Sequence, residues 1–315
     1  MSTLRAALEE YVALRRGLGT QFRLPAAALR RFVDFLERAG ADFVTTELAL
    51  RWAQEPGRAQ PSTWAERLGV VRRFAVWRSA TDPRTEVPPP SLLPHRRRRK
   101  PPHIYNDEEI EQLLAEAAKL PSPTGLRGLT YSTLFGLLAA TGLRVGEALA
   151  LDVDDVDLRG GVLAVRKAKF GKSRFVPVHD STRQALLHYA EHRDHRCARR
   201  PSAAFLVSER GTRLCQEVTR YTFARVSRAI GLRAPTGGRR KGYGPRLQDM
   251  RHSFATHKLV DWYRAGLDVE RELPKLATYL GHVHVRYTYW YIEAVPELLQ
   301  LATERLVGRP REVAP

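Results

Sequence analysis

The sequence predicts a mainly α-helical chain with one small β-sheet, arranged as an all-α N-terminal domain followed by an α+β C-terminal domain. Three observations predict it. Apolar residues recur at three- and four-residue spacing through most of the chain, the pattern of helices that bury one face. Two short β-runs, 161–169 and 173–178, stand around Phe170-Gly171-Lys172 as a hairpin would. Seven prolines between Thr81 and His103 break the helical pattern and divide the chain into a shorter and a longer part. The expected boundaries are a helical domain over 1–82, a Pro/Arg-rich linker over 83–103 and a larger domain over 104–315.

In the first domain, Leu4, Leu8, Tyr11, Val12 and Leu14 form one helical stripe. Leu29, Phe32, Val33, Phe35 and Leu36 form a second after Pro25. A shorter helix is expected over Thr46–Gln54, and a last one after Pro61 carries Trp64, Leu68, Val71, Phe74, Ala75 and Trp77. Arg67, Arg72, Arg73 and Arg78 lie between those apolar positions, as on a DNA-facing helix, although a solvated face explains the same pattern. In the second domain, Asn106-Asp-Glu-Glu109 caps a helix running to Ala118, and Leu126–Ala140 reads as a buried helix. Beyond the hairpin the expected helices are Ser181–Arg193, Val218–Ile230, Asp249–Arg264, Pro274–Leu280, Val285–Ala294 and Pro296–Val307.

The 315 residues carry 52 Lys+Arg against 34 Asp+Glu, a net charge of +18 and a pI near 10.4. With 43% hydrophobic residues there is enough apolar material for folded cores, so the excess charge lies on folded surfaces and calls for a polyanion. A membrane is the weaker partner, because the nearly apolar stretch Leu134–Leu143 is far short of the ~20 residues a span needs. Glu9 and Glu10 interrupt any apolar leader, and two cysteines, Cys197 and Cys215, make no disulfide framework. The expectation is a cytoplasmic, nucleoid-associated protein with reduced thiols. Arg96, Arg97, Arg98, Arg99 and Lys100 form a run of cations within the linker that would gain most by tracking phosphates, with a solvated spacer as the plain alternative. Arg239, Arg240 and Lys241 stand in a glycine-rich loop too irregular to be a phosphate-binding P-loop.

Four separated segments place polar or cationic residues in apolar settings. Ala140-Thr-Gly-Leu-Arg-Val-Gly-Glu147 puts Arg144 at a helix junction with Glu147 three residues on to hold it. The hairpin offers Lys169, with Lys172 and Arg174 after it. Pro245-Arg-Leu-Gln-Asp-Met-Arg-His-Ser-Phe-Ala-Thr-His257 opens a helix on which Arg251 and Phe254 point one way. Leu280-Gly-His282 precedes Val285-Arg-Tyr-Thr-Tyr-Trp-Tyr-Ile292. Together these supply a bidentate phosphate clamp, proton donors and an oxygen nucleophile, a set able to transfer a phosphodiester without metal.

These motifs, in this order and with Tyr291 nine residues after His282, resemble the tyrosine recombinase (phage integrase) family over about Pro102–Val307. The helical first domain resembles, more loosely, that family's core-binding (SAM-like) DNA-binding domain. The resemblance implies Arg144 and Arg251 on the scissile phosphate, Lys169 as the hairpin lysine, His282 as the Leu-Gly-His histidine and Tyr291 as nucleophile. It implies a 3′-phosphotyrosyl intermediate with neither ATP nor metal, so no cofactor is expected. Tyr287 shares a helix face with Tyr291, and Lys172 competes with Lys169; the family interval and the hairpin alignment favour Tyr291 and Lys169. The sequence departs from the pattern at Gln248, where the family usually has histidine. An amide can donate to a phosphate oxygen but cannot move a proton.

The implied partners are double-stranded DNA and a homo-tetramer on two duplexes, with other recombinases as further candidates. The C-terminal segment from Pro296 is expected to dock on a neighbouring subunit. Two other readings stay open beside a site-specific recombinase: a catalytically weakened accessory or DNA-binding protein, and a type IB-like topoisomerase. A metal nuclease is a third rival in principle. Asp152-Val-Asp-Asp-Val-Asp157 lacks the glycine and distal Glu of a calcium loop and reads as an exposed turn, and His179, His188, His192 and His195 lack zinc-ligand spacing. The cluster Arg193–Arg200 reads as a DNA-backbone or solvated patch.

Overall fold

Among the described residues, the first unit of the fold, Met1–Lys100, has four helices: α1 (Thr3–Gly17), α2 (Arg23–Arg38), α3 (Thr46–Gln54) and α4 (Pro61–Arg78). The computed structural model describes residues 3–55, 57, 59–94, 101–166, 173–197, 202–234, 244–293, 298–300 and 303. The Thr45 hydroxyl caps α3 by accepting from the Leu48 N–H at 3.2 Å, and Pro61 opens α4 where its missing N–H leaves nothing unpaired. The apolar stripes meet in one core containing Leu8, Leu29, Phe32, Trp52, Val71 and Phe74. Leu14 is 47% exposed, contrary to expectation, because it lies roughly 100° around the helix from the centre of the stripe.

Three of the four arginines expected to face DNA from α4 are engaged inside this unit. The Arg67 guanidinium lies 3.8 Å over the Trp52 ring and donates to the Trp52 carbonyl at 2.6 Å. Arg72 Nε donates to the Pro88 carbonyl at 3.0 Å, and Arg78 pairs with Asp82 at 3.3 Å. These residues flank the buried stripe and reach across it; Arg73 is exposed. The prolines exclude helix after Thr81, as expected, but not packing. The Glu86 N–H donates to the Val44 carbonyl at 2.8 Å, and Leu93 is buried in the same core. The expected linker is therefore folded onto the first unit as far as Leu93. The run Arg96–Lys100 lies outside the described residues.

The second unit, Pro101–Pro315, begins with extended chain whose Tyr105 ring is buried and whose Tyr105 N–H donates to Ser253 Oγ at 2.8 Å. A capping box of Asn106 and Glu109 starts α5 (Asp107–Ala118), which packs on α6 (Leu126–Thr141). Then come α7 (Val145–Ala150), a 3₁₀ turn (Val153–Asp155) and an antiparallel sheet of β1 (Val156–Asp157), β2 (Val162–Val165) and β3 (Arg174–Pro177), in that order across the sheet. Val162 pairs with Pro177 and Val165 with Arg174. The helices α8 (Asp180–Arg196), α9 (Gln216–Ala229), α10 (Asp249–Arg264), α11 (Val269–Leu280) and α12 (Arg286–Glu293) complete the described elements.

One core surrounds α6 and includes Phe135, Leu163, Val176, Tyr189, Phe205 and Phe223. A second joins α10, α11 and α12 through Leu259, Leu273, Leu276, Tyr291 and Leu298. Leu298 thus packs within its own chain, although the segment from Pro296 was expected to dock on a neighbour; most of that segment lies outside the described residues. No helix among the described residues is long and apolar enough to cross a membrane.

Other expectations change here. The acidic run is a 3₁₀ turn and a strand, not a solvated turn: Asp155 is buried and pairs with Arg166 at 2.5 Å. The helix expected from Pro274 starts at Val269, where the Asp268 carboxylate accepts from the Glu270 and Arg271 N–H groups at 3.1 and 3.3 Å; Pro274 sits inside it. Arg193, expected in a surface patch, is 1% exposed, because its guanidinium lies 4.9 Å over Phe205 and donates to the Phe205 carbonyl at 2.8 Å. Of the four histidines, His179 caps α8 through its Nδ1, while the His188 and His192 rings lie one turn apart, centroids 4.1 Å, tilted by 45°.

Candidate active site

The site forms where α6 gives way to α7. Gly142 closes α6 in the left-handed conformation, φ 60°, which a side chain rarely adopts. Helix α7 starts at once, with Arg144 as its N-cap. Its N–H donates to Glu147 Oε2 at 3.0 Å and its Nη1 to Glu147 Oε1 at 2.7 Å. The Arg144 side chain is 29% exposed, so this guanidinium keeps an open side.

Arg251, in the first turn of α10, is 3% exposed. Its Nη1 donates to the Gly142 carbonyl at 2.9 Å and its Nη2 to the Leu280 carbonyl at 2.6 Å. Both acceptors terminate helices, and the negative ends of α6 and α11 make this burial of a cation tolerable. Burial lowers the Arg251 pKa; Arg144 adds to the effect, while Tyr291 and Glu147 oppose it.

Gly281, φ 70°, ends α11 and turns the chain so that His282 meets Arg251, Nε2 to Nη2 at 3.0 Å. A guanidinium only donates, so Nε2 accepts and the His282 proton sits on Nδ1, where it is donated to Thr288 Oγ1 at 2.8 Å. Burial, followed by the charges of Arg251, Arg144 and Arg174, brings the His282 pKa down to about 4 against the partial opposition of Glu147.

Tyr291, on α12, is 4% exposed. Its ring stacks on His282 with centroids 5.9 Å apart and lies 5.3 Å from the His252 ring. Tyr287 and Tyr289 are 49% and 45% exposed, so of the three tyrosines only Tyr291 is enclosed with His282 and Arg251. Gln248 is the exposed N-cap of α10, and its side chain makes no capping bond. Lys169, Lys172, Arg239, Arg240 and Lys241 lie outside the described residues. In sequence both lysines fall between Val165 and Arg174, which pair at one end of the sheet. Arg72 and Arg73 belong to the first unit.

Arg174, which the sequence placed only after the hairpin lysines and gave no role, joins the site in the structure. Its Nε donates to the Tyr279 carbonyl at 2.7 Å and its two Nη atoms to the Glu147 carboxylate at 3.2 and 2.9 Å. Burial works to raise the Glu147 pKa, but the hydrogen bonds and charge of Arg174, with the Arg144 N–H and guanidinium, bring it down to about 2. The strand pattern held the signal: period two puts Arg174 on the same face of β3 as buried Val176, opposite to Phe175, which is 75% exposed. Thr288, fully buried three residues before Tyr291, was also missed.

The assembled groups are three guanidiniums, one carboxylate, a neutral imidazole and an enclosed phenol. The phage integrase family model matches residues 104–297, the span that contains all of them. The chain is 50% identical over 313 residues to the integrase/recombinase y4rB of Sinorhizobium fredii, covering 98% of each. It is 30% identical over 285 residues to the tyrosine recombinase XerD of Caulobacter vibrioides, covering 88% of this chain and 87% of that one. Its fold is similar to that of the Tn1549 transposon integrase in complex with transposon right end DNA, with a TM-score of 0.62 at 16% identity, covering 96% and 99% of the two chains. A match over most of the second unit, joined to near-full-length likeness to recombinases, places this chain in the phage integrase family, as a tyrosine-type DNA recombinase of site-specific recombination.

Proposed function

We propose that the chain cuts and rejoins double-stranded DNA through a 3′-phosphotyrosyl intermediate at Tyr291, without metal or ATP. The observation that carries this is the enclosure of one tyrosine against His282, itself hydrogen-bonded to Arg251. Arg144 and Arg251 take the two non-bridging oxygens of the scissile phosphate and stabilise the charge of the pentacoordinate transition state. When Arg251 turns its Nη2 to phosphate, His282 Nε2 is released as an acceptor. The anion also offsets the guanidinium charges that depress His282, which makes it the better base for the phenol proton. The Tyr291 Oη–P bond forms as the P–O5′ bond breaks, and Lys169 supplies the proton of the departing 5′-oxygen. The reverse attack rejoins the strand.

The first unit and the cations Arg96–Lys100, Arg72, Arg73, Lys172 and Arg239–Lys241 grip backbone phosphates and give binding its salt dependence. The protein assembles as four protomers on two duplexes; likeness to the Tn1549 integrase favours a mobile-element role. Gln248 favours a second reading, a slow or accessory recombinase. A nicked suicide substrate tests both: a covalent protein–DNA adduct, lost in Tyr291→Phe, supports the enzyme, and no adduct at any protein concentration sinks it. An adduct formed slowly and accelerated by Gln248→His supports the accessory reading. Relaxation of any supercoiled plasmid without site preference would indicate a topoisomerase.

A further inference from the structure

We infer that Arg174 is a positioning residue, which occupies Glu147 so that Arg144 stays available to phosphate and fixes the end of α11 that delivers His282. The inference rests on the roles given above to Arg144 and His282. The four bonds onto Glu147 are shared evenly: Oε1 receives Arg144 Nη1 and Arg174 Nη1, and Oε2 receives the Arg144 N–H and Arg174 Nη2. The carboxylate is thereby saturated. With both arginines present the trio carries a net charge of +1; without Arg174 it is neutral, and a buried carboxylate with two vacant acceptor sites would draw the Arg144 guanidinium wholly onto itself.

The third bond, Arg174 Nε to the Tyr279 carbonyl, reaches the last turn of α11, two residues before Gly281. Gly281 is shaped around it, since a Cβ there would lie 2.7 Å from Arg174 Nη1. Three N–H groups in a rigid fork make these contacts at once, which lysine cannot copy. The side chain is 11% exposed, so it is available to bracing and barely to DNA. Arg174 thus joins α7, the sheet and α11, the elements that carry or adjoin Arg144, the hairpin lysines and His282.

The test uses the full chain with Arg174→Gln, Arg174→Lys, Glu147→Gln and the double variant Arg174→Gln/Glu147→Gln, each assayed for adduct formation on the nicked substrate and for DNA affinity. Arg174→Gln is expected to slow cleavage about 10–100-fold, with affinity changed far less, and Arg174→Lys to fall between it and wild type. Neutralising Glu147 in the Arg174→Gln background should recover much of the rate, because nothing then competes for Arg144. A purely architectural Arg174 would show no such rescue. Cleavage by Arg174→Gln at the wild-type rate, or a double variant no faster than Arg174→Gln, would overturn the inference.

A second readout needs no cleavage. The groups facing Glu147 are Arg144 on α7 and Arg174 on β3, with Arg251 on α10 and His282 after α11 beyond them. The Glu147 carboxyl carbon, followed by NMR, should titrate at higher pH in Arg174→Gln than in wild type, and an unmoved midpoint would refute the clamp. If wild type forms no adduct while this midpoint moves, the catalytic reading fails and the clamp stands.

Discussion

Two glycines in one short motif should respond to alanine with opposite signs. At Gly142 a Cβ would lie 2.6 Å from Phe254 Cδ1 and 3.2 Å from Leu280 Cδ2, on a backbone held at φ 60°. Phe254 cannot turn away freely, since its ring stacks on Tyr279 at 5.6 Å and 20°. The left-handed backbone costs a side chain about 1–2 kcal/mol, and the forced repacking about 1–3 kcal/mol more. Gly142→Ala should therefore lose about 2–5 kcal/mol, and a loss of 3 kcal/mol would lower the melting temperature of a unit this size by about 6–12 °C. Gly146, four residues on and exposed within α7, has nothing within 4 Å of its Cβ position. Gly146→Ala should gain about 0.5–1 kcal/mol from helix propensity. Thermal and urea unfolding of both variants decide the matter. The reasoning fails if Gly142→Ala melts within about 2 °C of wild type, or if Gly146→Ala is the less stable of the pair. Because the Gly142 carbonyl also accepts from Arg251, the alanine there should slow cleavage beyond its effect on stability.

The remaining predictions concern protons and buried charge. His282 is held neutral in the fold, with its pKa at about 4 below an ordinary 6.5, so the unfolded chain binds the extra proton. Its contribution to stability is complete above pH 6.5 and fades as pH falls from there towards 4. Urea melts at pH 5 and 7.5 should show wild type losing more stability on acidification than His282→Gln, and equal losses would contradict the assignment. Arg193→Met removes the donor to a buried carbonyl and should cost about 1–3 kcal/mol. DNA affinity and its salt slope should stay unchanged; a reduced slope would return Arg193 to the phosphate-binding surface.

Much of this fold is legible in local sequence because its signals are local. Helices α3 and α10 have the bounds expected from their periodicity, and the Asn106–Glu109 capping box stands where the residues suggested it. The strand β1 was hidden because two residues in an aspartate run carry no alternation to detect. Pro274 misled as a helix opener because proline's fixed φ suits a helix start, whereas the Asp268 cap upstream determines the true one. The motifs identified which groups could do chemistry and gave Arg144 its partner Glu147, but not the distant groups that hold the others. Arg174 reaches a carbonyl 105 residues away and Arg251 one 109 residues away, separations at which spacing within an element says nothing. Arginine inside the fold is the general blind spot: half-buried Arg67 and fully buried Arg193 lay planar guanidiniums against rings and carbonyls, where charge counting assigns arginines to the surface.

The two arginines proposed to hold phosphate leave different partners behind when they do so. Arg251 is bound to carbonyl dipoles at the ends of α6 and α11, whereas Arg144 is bound to the ionised Glu147. Drawing Arg144 further onto phosphate works against an opposite charge, and because Glu147 is buried dissolved salt screens that pull little; Arg251 gives up only neutral acceptors. Ionic strength therefore acts mainly on the protein's hold on DNA as a whole, and the difference between the two arginines meant for a single phosphate persists in salt.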